Sequence, residues 1–202
     1  YQNEVLGESA GEGLQLVTRD ELQRASDETR PNYPHDPRRV LKNLDYHRYK
    51  LIFLSVDWGG GGESGLSLTV PVVLGMRHDG RIEVIYACRL RTPNDHLKEA
   101  QEALEIFRLF RCQRLVHDYT GAGALRETVM VASGVDRRVL VPIQYVGGGA
   151  TNLMTRVAST QRSIRTYYRL NKSRSLLYTI SAIRTRLVRF FAYDYVDAEN
   201  PG

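Results

Sequence analysis

Two aspartates in this chain stand where a carboxylate can hold a metal ion. The first, Asp57, ends the apolar run from Leu51 to Val56 and is followed by Trp58 and four glycines. A continuous apolar run is typical of a strand buried on both faces, and a charge at its end can reach solvent. Glycines directly after it let the backbone turn sharply and let a bulky ligand approach. The segment predicts a divalent-cation site beside a phosphate, although a strand ending in a plain Asp-Gly turn fits the same residues.

The second aspartate, Asp118, repeats this arrangement, since a short apolar strand precedes it and Gly121 and Gly123 follow it. Neighbouring strands would bring both carboxylates to one edge of a sheet, where ligand sites of open α/β sheets lie. Mg²⁺ and Mn²⁺ are hard ions that prefer oxygen ligands. Asp57 and Asp118 are therefore the candidate metal ligands. His117 lies on the opposite face of its strand and is expected to be a packing or orienting residue.

The distribution of charge indicates a polyanionic partner. The chain has 202 residues and a net charge of +5, and no aspartate or glutamate occurs between Arg137 and Tyr193. Clustered lysines and arginines neutralise phosphates, so nucleic acid is the candidate partner, with Tyr167 and Tyr168 available to stack on bases. A solvated helical face whose acidic partners lie elsewhere in the fold is the alternative. The candidate DNA-binding residues are Arg162, Arg165, Arg169, Lys172 and Arg174.

The remaining composition narrows the class of protein. An apolar fraction of 42% is typical of a globular chain. No apolar run resembles a signal peptide or is long enough to cross a bilayer. The two cysteines, Cys88 and Cys112, have no paired spacing. Neither a zinc site nor a disulfide framework is predicted, and both thiols are expected to be buried and reduced.

Hydrophobic periodicity places these residues in a mixed α/β fold. Strands over 51–57, 65–76 and 81–91 are joined by short connections and predict a three-strand antiparallel meander. A helix over 95–110 leads to the Asp118 strand, which a helical crossover places parallel to its neighbour. A helix over 122–133, a strand over 139–146 and a helix over 175–189 follow. That last helix is expected to bury Leu176, Ile180, Ile183 and Leu187. The element order is that of the ribonuclease H-like fold, a mixed sheet flanked by helices.

Residues 1–48 differ in character from the rest of the chain. Thr18 followed by acidic residues predicts a short helix from about Arg19 to Ala25. The prolines between Arg30 and Pro37 predict irregular structure. We therefore expect residues 1–48 to be the end of a preceding domain with a linker, and residues 49–202 to form the main domain.

Four segments together resemble the nuclease domain of large terminase subunits, the proteins that cut and package DNA in tailed bacteriophages. They are Asn3 to Gly7, Val56 to Gly59, His117 to Gly123, and the basic helix that contains Ile183 and Arg184. The resemblance implies that residues 1–48 end a packaging ATPase domain and that residues 49–202 are a ribonuclease H-like nuclease. It also implies double-stranded DNA, the portal and the small terminase subunit as partners, no membrane, and the cytoplasm of an infected bacterium as the location.

The resemblance further implies phosphodiester hydrolysis by two Mg²⁺ or Mn²⁺ ions, one activating water and the other steadying the leaving oxygen. Asp57 matches the bridging carboxylate and Asp118 a ligand of one ion. The family's third acid follows the last amphipathic helix. Here the acids after that helix lie in a stretch without a helical pattern: Asp194, Asp197 and Glu199. The third ligand is therefore expected beyond Gly202, and this chain by itself is expected to bind metal weakly and to cut poorly.

Two other functions fit parts of the pattern. An actin-like ATPase or kinase also has Asp-x-Gly-Gly loops around phosphates, but this chain is short for the two cores that such a protein needs. Residues 60–67 also lack the lysine of a phosphate-binding P-loop. The other alternative is a module that only binds DNA or a portal, with Asp57 and Asp118 as turn residues.

Overall fold

The computed structural model describes residues 16–59, 68–90, 95–147, 152–158 and 165–192. Its strands are β1 (Ser26–Pro31), β2 (Tyr49–Asp57), β3 (Val70–Arg77), β4 (Ile82–Ala87), β5 (Arg114–Asp118), β6 (Leu140–Val146), β7 (Met154–Val157), β8 (Tyr167–Asn171) and β9 (Val188–Ala192). Its helices are α1 (Arg19–Ala25), α2 (Pro37–Leu41), α3 (His96–Leu109), α4 (Gly123–Ala132) and α5 (Lys172–Arg184), with short 3₁₀ turns at Tyr46–Arg48 and Arg137–Val139. No helix within these ranges is both long and apolar enough to span a membrane.

The described strands form one nine-stranded mixed sheet in the order β1-β9-β4-β3-β2-β5-β6-β8-β7. β2, β3 and β4 form the antiparallel meander that the sequence predicts. β5 pairs with β2 in parallel, and β6 and β8 continue the parallel part. Parallel neighbours need crossover connections, and α3 and α4 supply them before and after β5 in the chain. The predicted mixed sheet flanked by helices is confirmed.

Alternation along β2 assigns the two faces of the sheet. Ile52, Leu54 and Val56 are buried in the main core cluster, together with residues of α3 and α4 such as Leu104. Full burial of an aliphatic side chain of this size contributes about 1.5–3 kcal/mol, so these helices are held firmly against this face. The intervening side chains point to the opposite face, where α5 forms a wall near Asp57.

The last helix differs from the prediction for residues 175–189. It begins at Lys172 because the side chain of Asn171 caps its amino end, and it ends at Arg184, after which the chain enters β9. Ile180 and Ile183 are buried as predicted, whereas Leu176 and Leu187 are exposed. The prediction of an inward position for those two leucines is wrong.

The segment before β2 is attached to the sheet. β1 pairs with β9, and the hydroxyl of Tyr86 donates a hydrogen bond to the backbone oxygen of Pro34 at 2.8 Å. Arg30 and Pro31 belong to β1, so the prediction of irregular structure there is wrong. β1 is an edge strand in the described sheet, and an edge tolerates the missing N–H of a proline. The domain boundary at residue 48 stays a prediction.

Candidate active site

Asp57 and Asp118 lie at the carboxyl ends of two adjacent parallel strands. The last paired residues of β2 and β5 are Val56 and His117, so the two aspartates stand level, one residue further along. Val56 and His117 are both buried, and strand alternation therefore turns both aspartates to the other face. Adjacent strands lie about 4.8 Å apart, which brings the carboxylates within reach of one cation. The structure thus brings the two predicted residues together, and their role as metal ligands stays a prediction.

The two carboxylates line one open cleft of about 370 Å³. Its remaining lining comes from β6 and from the first turns of α5: Tyr145, Lys172, Ser175, Leu176 and Thr179. Carboxylates on one side and the ammonium of Lys172 on the other make the cleft suitable for a phosphate bound next to a cation.

Charge repulsion is built into this cleft. The pKa of Asp57 is raised above the ordinary aspartate range, first because surrounding protein displaces water and second because of the charge of Asp118, while Lys172 opposes both effects. The pKa of Tyr145 is also raised, by desolvation and then by the two carboxylates, so its phenol keeps its proton at neutral pH. A divalent cation between the carboxylates would relieve the repulsion. The electrostatics therefore favour cation uptake.

A tight turn fixes the position of Asp118. Its Oδ1 accepts a hydrogen bond of 2.7 Å from the backbone N–H of Thr120. Gly121, with a φ of 54°, lets the chain reverse into α4. Gly123 then lies so close to the backbone carbonyl of Asp118 that a Cβ on this glycine would overlap the oxygen. The turn therefore restricts both the carboxylate and the strand end that carries it.

A buried chain of polar groups supports the same strand end. Nε2 of His117 lies 3.1 Å from Oε2 of Glu127, and Nε of Arg165 lies 2.9 Å from Oε1 of Glu127. Nδ1 of His117 lies 3.4 Å from Nε1 of Trp58 and 3.1 Å from the backbone oxygen of Asp118. Burial acts to raise the pKa of Glu127, but the hydrogen bond from His117 and the charge of Arg165 lower it overall. His117 thus has the orienting environment expected for it.

The predicted DNA-binding residues fall into three groups. Arg165 has internal partners, namely Glu127 and the backbone oxygens of Arg137 and Leu140. This agrees with the alternative in which acidic partners come from elsewhere in the fold. Three residues are exposed and form no ion pair in the part of the chain that the structure describes: Arg169, Lys172 and Arg174. Arg162 lies outside the described residues.

Sequence reasoning missed most of the residues around the two aspartates. Tyr145 and Thr179 lie far from the aspartates in sequence, and Lys172 was predicted only as part of a basic stretch. A usable signal was Asn171, a residue that favours helix N-caps, three residues after the strand-forming pair Tyr167 and Tyr168. No group of three or more possible metal ligands occurs in the described ranges. Outside the described ranges lie Gly60, Gly61 and Gly62 and the acids Asp194, Asp197 and Glu199.

Comparison with known proteins gives a likeness at the level of structure. No protein-family model and no curated protein sequence matches the chain. The structure resembles a mutant nuclease domain of the large terminase subunit of bacterial virus Sf6 with manganese and β-thujaplicinol. The TM-score is 0.53 and the identity 12%, over 92% of this chain and 78% of that chain. A mutant fragment of the bacteriophage Sf6 large terminase subunit with calcium gives a TM-score of 0.49 and 16% identity, over 88% and 74%. The order of elements and the first of these likenesses give the chain the mixed, ribonuclease H-like fold of that nuclease domain.

Proposed function

We propose that this chain is a metal-dependent endonuclease domain that hydrolyses phosphodiester bonds of double-stranded DNA. The observation that carries the proposal is the convergence of Asp57 and Asp118 at adjacent strand ends in one open cleft. The likeness to the Sf6 terminase nuclease supports it. In a packaging terminase such a domain cuts concatemeric viral DNA in the cytoplasm of the infected bacterium, with the portal, the small subunit and an ATPase domain as partners.

The donor atoms of the cleft fit Mg²⁺ or Mn²⁺. Asp57 and Asp118 offer carboxylate oxygens, and waters and phosphate oxygens complete the shell of such an ion. The pKa of Asp57 is raised first by desolvation and second by the charge of Asp118, and a divalent ion beside the two carboxylates would oppose both effects. A bound ion would polarise the phosphate and lower the pKa of a bound water. A second ion would need a further carboxylate, the third acid that the resemblance to terminase nucleases implies.

The wall opposite the aspartates suits a phosphate. Lys172 is the first residue of α5, and both its ammonium and the amino end of the helix favour an anion. The protonated phenol of Tyr145 lines the same cleft and offers a hydrogen-bond donor. The hydroxyls of Ser175 and Thr179 also line it, but they donate within α5 to the backbone oxygens of Lys172 and Ser175. In our proposal Lys172 and Tyr145 hold the scissile phosphate against α5, while Asp57 and Asp118 orient the cation side of the cleft.

Exposed cations extend this surface beyond the cleft. Arg169 lies on β8 and Arg174 in the first turn of α5, and both side chains are exposed. Contacts of arginine with phosphates position a duplex but carry no sequence information. We therefore propose binding with little base selectivity and with a strong dependence on salt.

Relaxation of supercoiled plasmid by the purified chain tests the proposal. With Mn²⁺ or Mg²⁺ we expect nicking that a chelator stops and that Asp57→Asn or Asp118→Asn reduces at least about 100-fold, because each change removes a charged ligand. Asp79→Asn is the matched control, since Asp79 also follows a strand but pairs with Arg77 outside the cleft. Calorimetry with Mn²⁺ measures uptake directly, even where cutting is slow.

Other outcomes identify other functions. Metal-dependent nucleotide hydrolysis without DNA cleavage would support the actin-like ATPase. DNA binding with neither cleavage nor Mn²⁺ uptake would leave a binding module. Full nicking activity in Asp57→Asn would show that the cleft is not the site of the reaction.

A further inference from the structure

A buried polar network lies behind the strand end that carries Asp57. Glu99 of α3 and Arg126 of α4 form its centre, and each residue is only 1% exposed. Nε and one terminal nitrogen of Arg126 donate to Oε2 of Glu99 at 2.9 and 2.5 Å. The hydroxyl of Thr69 donates to the other carboxylate oxygen at 2.8 Å. The network therefore joins two helices to the residue that precedes β3.

Both backbone polar groups of Gly59 end in this network. Its N–H donates to the hydroxyl oxygen of Thr69 at 2.9 Å, and its carbonyl accepts from Arg126 at 3.1 Å. The guanidinium carbon of Arg126 also lies 5.0 Å from the ring centroid of Trp58, within the range of a cation–π contact. The two residues that follow Asp57 are thus held by one set of buried charges.

We propose that Glu99, Arg126 and Thr69 are positioning residues of the metal site, and that they hold the Asp57 end of β2 in the geometry that cation uptake requires. The inference rests on the proposed function. A buried ion pair adds little net stability compared with apolar side chains of similar size, so packing alone does not explain its place here. Metal ligands depend on the groups that orient them, and loss of such a group commonly weakens metal binding about 10–100-fold.

A second buried glutamate provides the control. Glu83 of β4 is also 1% exposed, and its partners are Arg30, Arg48, Arg77 and Tyr49. Glu83 pairs with Gly75 of β3, and Gly75 pairs with Ile52 of β2, so Glu83 lies level with Ile52. Ile52 precedes Asp57 by about 16 Å along β2. A change at Glu83 therefore reports the general effect of losing a buried ion pair, at a distance from the cleft.

The test is calorimetric Mn²⁺ titration of the full chain and three variants, at a temperature where circular dichroism shows all four to be folded. Thr69→Val removes the hydroxyl between Gly59 and Glu99 but keeps the shape of the side chain, and Thr69→Ser restores a hydroxyl. We expect Thr69→Val to weaken Mn²⁺ binding about tenfold or more. Thr69→Ser should stay close to wild type. Glu83→Gln should keep the wild-type affinity, although its Tm falls.

The possible failures are distinguishable. Equal Mn²⁺ affinity in wild type and Thr69→Val would overturn the inference and leave the proposed function standing. Equal weakening in Thr69→Val and Glu83→Gln would also overturn it, because a general loss of rigidity would then explain both. No Mn²⁺ uptake by the wild-type chain would overturn the proposed function, and this inference with it.

Discussion

Two regions of the molecule are each built around a buried glutamate, and their surroundings differ. Glu99 takes its hydrogen bonds from buried groups, Thr69 at 1% exposure and the side chain of Arg126 at 2%, with the more exposed His96 at 3.8 Å. Glu83 instead pairs with three arginines whose side chains are partly exposed: Arg30 at 20%, Arg48 at 40% and Arg77 at 28%. The first cluster ends on the backbone beside Asp57, whereas the second ties the segment before β2 to the β3–β4 hairpin. Two carboxylates that are equally buried therefore need not have the same role. The role depends on which segments of the chain the partners of each carboxylate connect.

The largest contrast is expected from removing one arginine of each cluster. Arg126→Met leaves the carboxylate of Glu99 buried without its counter-charge, and we expect the free energy of unfolding to fall by about 3–5 kcal/mol. Arg48→Met removes an arginine that is 40% exposed, from a glutamate that keeps other partners, and should cost about 1 kcal/mol or less. Urea unfolding at neutral pH measures both. Similar losses in the two variants would contradict the distinction between an enclosed cluster and an open one.

An intermediate effect is expected from pH. Burial acts to raise the pKa of Glu83, but the hydrogen bond from Tyr49 and the charges of Arg30 and Arg48 lower it overall, from an ordinary value of 4.5. The folded state therefore releases this proton more readily than the unfolded state does. The resulting stability is present above the unfolded pKa and is lost as the pH falls through the folded pKa.

Glu83→Gln should consequently be less stable than wild type at pH 7, by about 2 kcal/mol. Below about pH 4.5 the difference should shrink, because the wild-type carboxylate becomes protonated as well. Urea unfolding across this pH range gives the two profiles. Parallel profiles would show that Glu83 does not contribute to the acid sensitivity of the fold.

The smallest effect is expected from glycines at the two ends of α4, and it extends the comparison to Asp118. Gly123→Ala places a Cβ against the backbone carbonyl of Asp118 and should cost about 1–2 kcal/mol. Gly134→Ala is the matched control, because Gly134 has a φ of 85° and nothing within 4 Å of a Cβ. It should cost about 1 kcal/mol through backbone strain alone. Only Gly123→Ala should weaken Mn²⁺ binding in calorimetry, and equal affinities would argue against support of Asp118 by α4.

The sequence was sufficient to predict that the two aspartates lie together at one edge of the sheet, because their signals are local. Each follows an apolar run and precedes glycines, and period-two burial along a strand is visible without knowledge of its neighbours. The buried network was not predictable in this way. Glu99 and Arg126 lie on amphipathic helices, where charged residues normally face solvent, and only the packing of α3 and α4 on the sheet encloses them.

The errors near the end of the chain also have a physical cause. Leu187 continues the spacing of Ile183, so periodicity alone extends the last helix to residue 189. The helix instead ends after Arg184, and Arg186 adopts a left-handed conformation with a φ of 57°. β9 exists because β4 and β1 accept it as a partner. A pairing of that kind depends on contacts between distant segments, which no local pattern contains.

Two consecutive residues of α4 contact the ends of the two strands that carry Asp57 and Asp118. Arg126 holds the carbonyl of Gly59 beyond β2, and Glu127 contacts His117 of β5. A small slide or tilt of this helix would therefore carry both strand tips in the same direction. The distance between the two carboxylates would then change less than the position of either one. Thermal motion of α4 would therefore leave the spacing of the two candidate metal ligands nearly constant.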